Sequence, residues 1–138
     1  MSQHNVEIVR RAIDAFNSGG IDAALEFLDP QIEWTTTGIF LEPGTYRGHE
    51  GAVRYMGALA TELEDLHNEP EELIDAGEQV VVPMRLTARG KQSGAPVEYT
   101  GTLVYVVRGG KITRIRNYTE RAKALEAAGL GSEHDAAR

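Results

Sequence analysis

The sequence predicts an α+β domain in which helices cover one face of a curved antiparallel sheet. Three observations carry this. Apolar residues recur at helical spacing through the first half; from about residue 66 the period changes to two; and glycine-containing breaks at Gly77, Gly90 to Gly94 and Gly109-Gly110 divide the alternating segments.

Val6, Val9, Ile13 and Phe16 form one stripe, with Glu7, Arg10, Arg11 and Asp14 mostly opposite, so the first element is an amphipathic helix. Asn17-Ser18-Gly19-Gly20 stops it. Asp22 can cap a shorter second helix that carries Leu25 and Leu28 inward until Pro30, and the two form an antiparallel pair. Gln31 to Thr37 alternates and is rich in β-formers, which places Ile32 and Trp34 on one strand face. After a loop through Pro43 and Gly44, a third helix is expected from about His49 to Leu63, with Val53, Met56, Leu59 or Ala60, and Leu63 inward. Four strands are expected next, near 66–75, 79–89, 97–108 and 111–119. Gly109-Gly110 suits a two-residue turn that needs positive φ, so the last two long strands should form a tight hairpin. Glu120 to Ala128 is a short C-terminal helix ended by Gly129. One domain is expected over residues 1–130, with 131–138 a frayed tail.

The 138 residues are 41% hydrophobic and 25% charged, which suits a packed core and not a disordered chain. The formal charge of −7 repels a phosphate backbone, so nucleic-acid binding is not expected. No cysteine is present, which excludes disulfides, thiolate metal ligands and a cysteine nucleophile. The N-terminal residues carry charges and no export signal, and the apolar runs around Val80–Val82 and Leu103–Val107 are far short of the roughly 20 residues of a membrane helix. A cytoplasmic protein without membrane contact is the expectation.

The order helix, helix, strand, helix, four strands, together with DPQIEW, TYRGHEGAVRYM, ELIDAGEQVVV and GGKITRIRNYTERAKALEAAGL, resembles the SnoaL-like families of the nuclear transport factor 2-like (ketosteroid isomerase-like) superfamily. The resemblance spans nearly residues 5 to 130. It implies a sheet closed into a cone by the three N-terminal helices, opening on a largely apolar, cofactor-free cavity, and a homodimer paired through the outer sheet face. Members of the superfamily include polyketide cyclases, ketosteroid isomerases, epoxide hydrolases and dehydratases, and also domains that only bind, so the fold does not settle the function.

Compared with ketosteroid isomerases, the position of the carboxylate base falls on Trp34 and that of the oxyanion-stabilising tyrosine on Ala12. Indole removes no proton from carbon and alanine donates nothing, so that mechanism is excluded. Limonene-type epoxide hydrolases are similar at Arg116-Asn117-Tyr118, where theirs reads Arg-Asp-Tyr, and at Arg85, where Thr87 replaces their second acid. Both acids are missing. The resemblance leaves Asn117 and Arg85 as catalytic candidates for polarising a carbonyl or orienting water. Polyketide cyclases resemble the chain in outline, but alternation sends Glu33 to the face opposite Trp34.

Trp34 offers a stacking surface or plain core. Tyr99, Leu103 and Tyr105 share a strand face and could present hydroxyls to a ligand or pack as core. Tyr46 is a candidate to seal the cavity mouth. His49 is either an acid-base group at the site or the hydrogen-bonded start of a helix, and Arg85 has an outer-surface alternative. His4, His67 and His134 have no partners at ligand spacing, so no metal site is expected. The acidic residues Glu62, Glu64, Asp65, Glu69, Glu71 and Glu72 read as a solvated rim. The function expected is a small-molecule pocket that binds a small apolar organic compound; whether it also turns that compound over, by isomerisation, cyclisation or hydrolysis, the sequence leaves open. The alternative is a non-catalytic ligand-binding domain, or a protein-interaction domain using Arg114, Arg116 and Tyr118 on the outer face.

Overall fold

The structure is a computed structural model that describes residues 2–36 and 43–130. Part of the loop expected before Pro43 and the tail 131–138 lie outside the described residues. Helix α1 spans Ser2–Ala24 and bends at Gly20, whose φ of 76° and ψ of −167° are open to glycine alone at low cost. The helix breaks at the expected glycines, but beyond them the chain makes one further turn and a 3₁₀ turn at Leu25–Phe27. Strand β1 then runs Leu28–Thr36 with Pro30 inside it, because β7, Lys111–Tyr118, offers Leu28 a partner in Ile112. The expected second helix is therefore corrected in its extent, since it stops before Leu28 where β1 begins, and the sheet that it and α2, Gly48–Leu59, accompany is open and mixed and not closed into a cone.

Strand β2, Gly44–Arg47, takes the place of the end of the expected loop; it pairs antiparallel with β1, setting Trp34 against Tyr46. The remaining strands are β3 Leu63–Pro70, β4 Ile74–Ala76, β5 Gln79–Gly90 and β6 Pro96–Arg108. The order is β2-β1-β7-β6-β5-β3, with β4 on β5. The sheet is mixed and not wholly antiparallel, since β1 and β7 run parallel with Trp34 beside Ile115. These two strands are joined through the whole meander and not by a hairpin, so no tight turn imposes opposite directions. The β6–β7 hairpin forms as expected: Arg108 pairs with Lys111 across Gly109 and Gly110, with φ of 59° and 79°.

Alternation gives the sheet two apolar faces of unequal size. On the inner face Val80, Val82, Met84, Leu103, Tyr105, Val107 and Ile112 meet Ile8, Val9, Ala12 and Ile13 of α1. On the outer face Val81, Val104 and Ile74 are covered by Ala124, Leu125 and Ala128 from α3, Arg121–Ala127, and its end. That helix ends in a Schellman arrangement, with the Leu130 amide donating to the Leu125 carbonyl at 2.9 Å and the Gly129 amide to Glu126 at 3.0 Å. The edge strand β3 is tied to α1 by Asn17. Its Nδ2 donates to the Asn68 carbonyl at 2.8 Å and its Oδ1 accepts from the Asn68 amide at 2.9 Å, standing in for a further strand.

Candidate functional site

Between α1, α2 and the inner sheet face lies a cavity of ≈ 100 Å³. On the measure by which one water needs about 10–15 Å³ and an apolar cavity of about 150 Å³ holds benzene, it has room for several waters or one small ring. Helix α1 contributes Ala12, Ile13, Phe16, Ile21 and Ala24, and α2 contributes Tyr55, Met56 and Leu59. The sheet supplies an apolar floor that includes Met84, Leu86, Leu103, Ile112 and Ile115. Polar groups are few: Trp34, Thr36, Asn68, Tyr99, Tyr105 and Asn117 from the strands, and Tyr55 from the helix. No carboxylate, imidazole, ammonium or guanidinium lines the cavity among the described residues.

Five of the residues singled out from sequence meet here: Trp34, Tyr99, Leu103, Tyr105 and Asn117. The other three do not. Arg85 is exposed on the outer face and pairs with Glu98 at 3.4 Å, as the alternation of β5 around Val82, Met84 and Leu86 requires. His49 shares a 2.9 Å hydrogen bond between its Nε2 and the Leu28 carbonyl, which fastens the start of α2 to β1. Tyr46 stands behind the wall, its ring centroid 4.9 Å from that of Tyr55, with the Arg54 guanidinium 5.5 Å from the Tyr46 centroid on the ring face.

Tyr55 and Asn68 are lining residues that sequence reasoning missed. Tyr55 is 7% exposed, whereas Val53, expected inward, is 40% exposed. Leu63 opens β3 and is no part of the helix, and counting it in the helical stripe rotates the inward face. Ending the helix before Ala60 leaves Ala52, Tyr55, Met56 and Leu59 at i, i+3, i+4 and i+7, a helical stripe that is present in the sequence. Asn68 follows Leu66 by two on β3 and shares its inward face, so both line the cavity.

Trp34 and Tyr55 pack with centroids 5.0 Å apart at 56°, a tilted pair that fixes both rings. The Asn117 side chain is hydrogen-bonded to the Tyr55 hydroxyl. Burial pushes the Tyr55 hydroxyl up to about 12; the nearby Tyr46 phenol adds to the shift and the Asn117 bond opposes it. Burial likewise raises Tyr105 and, at a more open place, Tyr99. All three are neutral hydroxyls at physiological pH. Tyr99 lies along its own strand over Gly101, where an added Cβ would sit 2.6 Å from the Tyr99 Oη, so glycine there lets the ring lie flat in the wall.

Three polar atoms in this wall are buried without a hydrogen-bond partner among the described residues: Trp34 Nε1, Asn68 Oδ1 and Asn117 Oδ1. Such atoms are rare in native proteins and cost about 1–3 kcal/mol each when left unmet. A second depression, of ≈ 460 Å³, lies on the outer face among Glu33, Glu78, Arg108, Arg114 and Arg116. There Arg114 meets Glu33 at 3.6 Å and Arg108 meets Glu78 at 3.2 Å, so those charges satisfy one another. Tyr118, expected on an open outer face, packs against the cluster under α3.

The sequence profile of the family described as a SnoaL-like domain matches residues 9–115. The chain belongs to the SnoaL-like family. Among solved structures, this SnoaL-like chain is similar to an NTF2-like protein from Burkholderia xenovorans LB400, at 30% identity and a TM-score of 0.73, covering 93% of this chain and 97% of that one. It is also similar to an NTF2-like protein from Burkholderia pseudomallei K96243, with 21% identity, a TM-score of 0.76 and coverage of 89% and 95%. A third, TerC co-crystallised with polyporic acid, shares 23% identity and a TM-score of 0.75 over 91% of this chain and 98% of that chain. No curated protein matches the sequence significantly. No described helix of the SnoaL-like chain is long and apolar enough to cross a membrane, and no described cluster of three or more His, Asp or Glu is placed to hold a metal ion.

Proposed function

We propose that this SnoaL-like chain binds a small, uncharged, mainly apolar organic molecule in the cavity between α1, α2 and the sheet. The observation that carries this reading is the lining itself. It is an apolar chamber with a few converging hydrogen-bonding groups and no described ionised side chain, the composition that small-molecule sites have. Fixed aromatic walls at Trp34 and Tyr55 favour a ring-bearing ligand.

A second reading, turnover of that ligand, is favoured by the hydrogen bond between Asn117 and the buried Tyr55 hydroxyl. A neutral phenol and amide held together in an apolar wall can donate to a carbonyl oxygen and stabilise charge that develops there. With no described carboxylate or imidazole to take a proton, such chemistry is confined to polarising a carbonyl or orienting water for isomerisation, cyclisation or hydrolysis. Arg85 has no part in it.

A thermal-shift screen against steroids, aromatic polyketides, epoxides, terpenoids and polyporic acid tests the binding reading. A ligand at 100 times its Kd adds about 2.7 kcal/mol of stability, a shift of several degrees. Stabilisation by one chemical class supports the pocket and names the compounds to assay for turnover. A folded protein that no class stabilises overturns it.

A further inference from the structure

Alternation turns Tyr99, Gly101, Leu103 and Tyr105 of β6 toward the cavity, yet of these Gly101 alone is absent from its lining. Its cross-strand partner Met84 is part of the floor, and so is Leu86, the partner of Tyr99. Glycine weakens a strand interior and is kept there for a bulge, a positive φ or a close approach. The β5–β6 register runs unbroken through Gly101 and its φ is not positive, which leaves a close approach. That approach is made by Tyr99: a Cβ at position 101 would lie 2.6 Å from its Oη, 2.8 Å from Cε2 and 2.9 Å from Cζ. The ring thus fills the place of the missing side chain and is itself the floor over Gly101.

Building on the pocket reading above, we propose that Gly101 fixes the size of molecule the cavity accepts, by giving the Tyr99 ring a seat against the sheet. Gly101 is a positioning residue, since it lies beneath the ring and acts through it. With no side chain at 101, the phenol lies along its own strand and the chamber above stays open. A methyl group there removes the seat. The colliding atoms are the far end of a side chain, so the ring turns about χ1 to another staggered well and the backbone stays in place. The strand lies beneath the ring and Leu86 stands beside it on β5, so the turn lifts the ring off the sheet into a chamber of only ≈ 100 Å³. Removing the ring has the opposite effect, because it opens a slot over Gly101 between Met84 and Leu103.

Alkylbenzenes from benzene to pentylbenzene serve as a ruler, with Kd read by calorimetric titration of the whole chain, shown to be folded by circular dichroism. Each added methylene tightens Kd about fourfold while the molecule still fits, and the gain stops where the cavity ends. Gly101→Ala is expected to stop the gain about one carbon earlier and to weaken the longest member that fits the parent about tenfold, as overpacking does. Tyr99→Ala is expected to carry the gain about two carbons further, and Gly101→Ala added to it should weaken binding by less than about threefold, since the colliding ring is gone. A limit that is unchanged or longer in Gly101→Ala overturns the inference and leaves the apolar pocket standing. A loss of the same size with and without the Tyr99 ring overturns the seat. If Gly101→Ala does not fold, Tyr99→Ala decides alone, and a limit no longer than the parent's overturns the inference. Failure of every member to bind the folded parent overturns the inference and the pocket reading together.

Discussion

Two asparagines in the cavity wall should respond in opposite directions to the same substitution. Asn68 holds α1 to β3 through its backbone alone, and its side-chain oxygen has no described partner. Asn68→Leu keeps the shape, removes a buried unmet acceptor and should stabilise the ligand-free protein by about 1 kcal/mol, or about 3 °C in Tm. Asn117 is bonded to the buried Tyr55 hydroxyl, so Asn117→Leu strands that hydroxyl and should destabilise by about 1–2 kcal/mol. Urea unfolding of the two variants beside the parent checks both signs. A loss of stability in Asn68→Leu would mean that its amide is already satisfied.

At the level of elements, the sheet separates two jobs. Its inner face forms the cavity floor, and its outer face carries the smaller core under α3. Leu125 is fully buried in that outer core and does not line the cavity. Leu125→Ala should therefore cost about 2–4 kcal/mol, yet leave the Kd of a cavity ligand within about twofold, as titration of folded variant would show. The reverse applies to α2. It brings Tyr55 to the site, and the bond from His49 to the Leu28 carbonyl sets where the helix begins. The Gly48-His49-Glu50-Gly51 segment acts on the site through placement of that helix.

For the molecule as a whole, the buried tyrosines couple folding to alkaline pH. In the unfolded chain Tyr55 loses its proton near pH 10, while in the fold burial holds it until about 12. Above pH 10 the unfolded state therefore gains charge that the folded state resists. The stability associated with neutral Tyr55 is complete below pH 10 and is lost as pH rises through about 12. Two pH units correspond to roughly 3 kcal/mol for this one group, and Tyr105 acts in the same direction. Urea midpoints at pH 9, 10.5 and 12 should fall, and fall less in Tyr55→Phe. An equal fall in both proteins would place the alkaline sensitivity elsewhere.

Local chemistry makes much of this molecule legible in its sequence. Helical spacing in the first half, alternation in the second, and glycine at the β6–β7 turn are properties of neighbouring residues, and they determine the α+β class, most strands and the SnoaL-like resemblance. Alternation also puts Trp34, Tyr99, Leu103 and Tyr105 on the face that lines the cavity, and Arg85 opposite Met84 and Leu86. The remainder depends on partners distant in the chain. Leu28 is strand because Ile112 is available beside it, Gly44–Arg47 because β1 is. The parallel pairing of β1 with β7 is set by how the whole meander closes. Tyr55 enters the site through the true end of α2, which decides the inward stripe of that helix without changing its composition. Asn68 enters it because the edge strand β3, on which it shares a face with Leu66, closes one side of the cavity. The meeting of Trp34, Asn68 and Asn117 as unmet donors and acceptors in one apolar wall is likewise a tertiary fact, since three strands contribute one residue each and only their assembly makes burial of a polar atom costly.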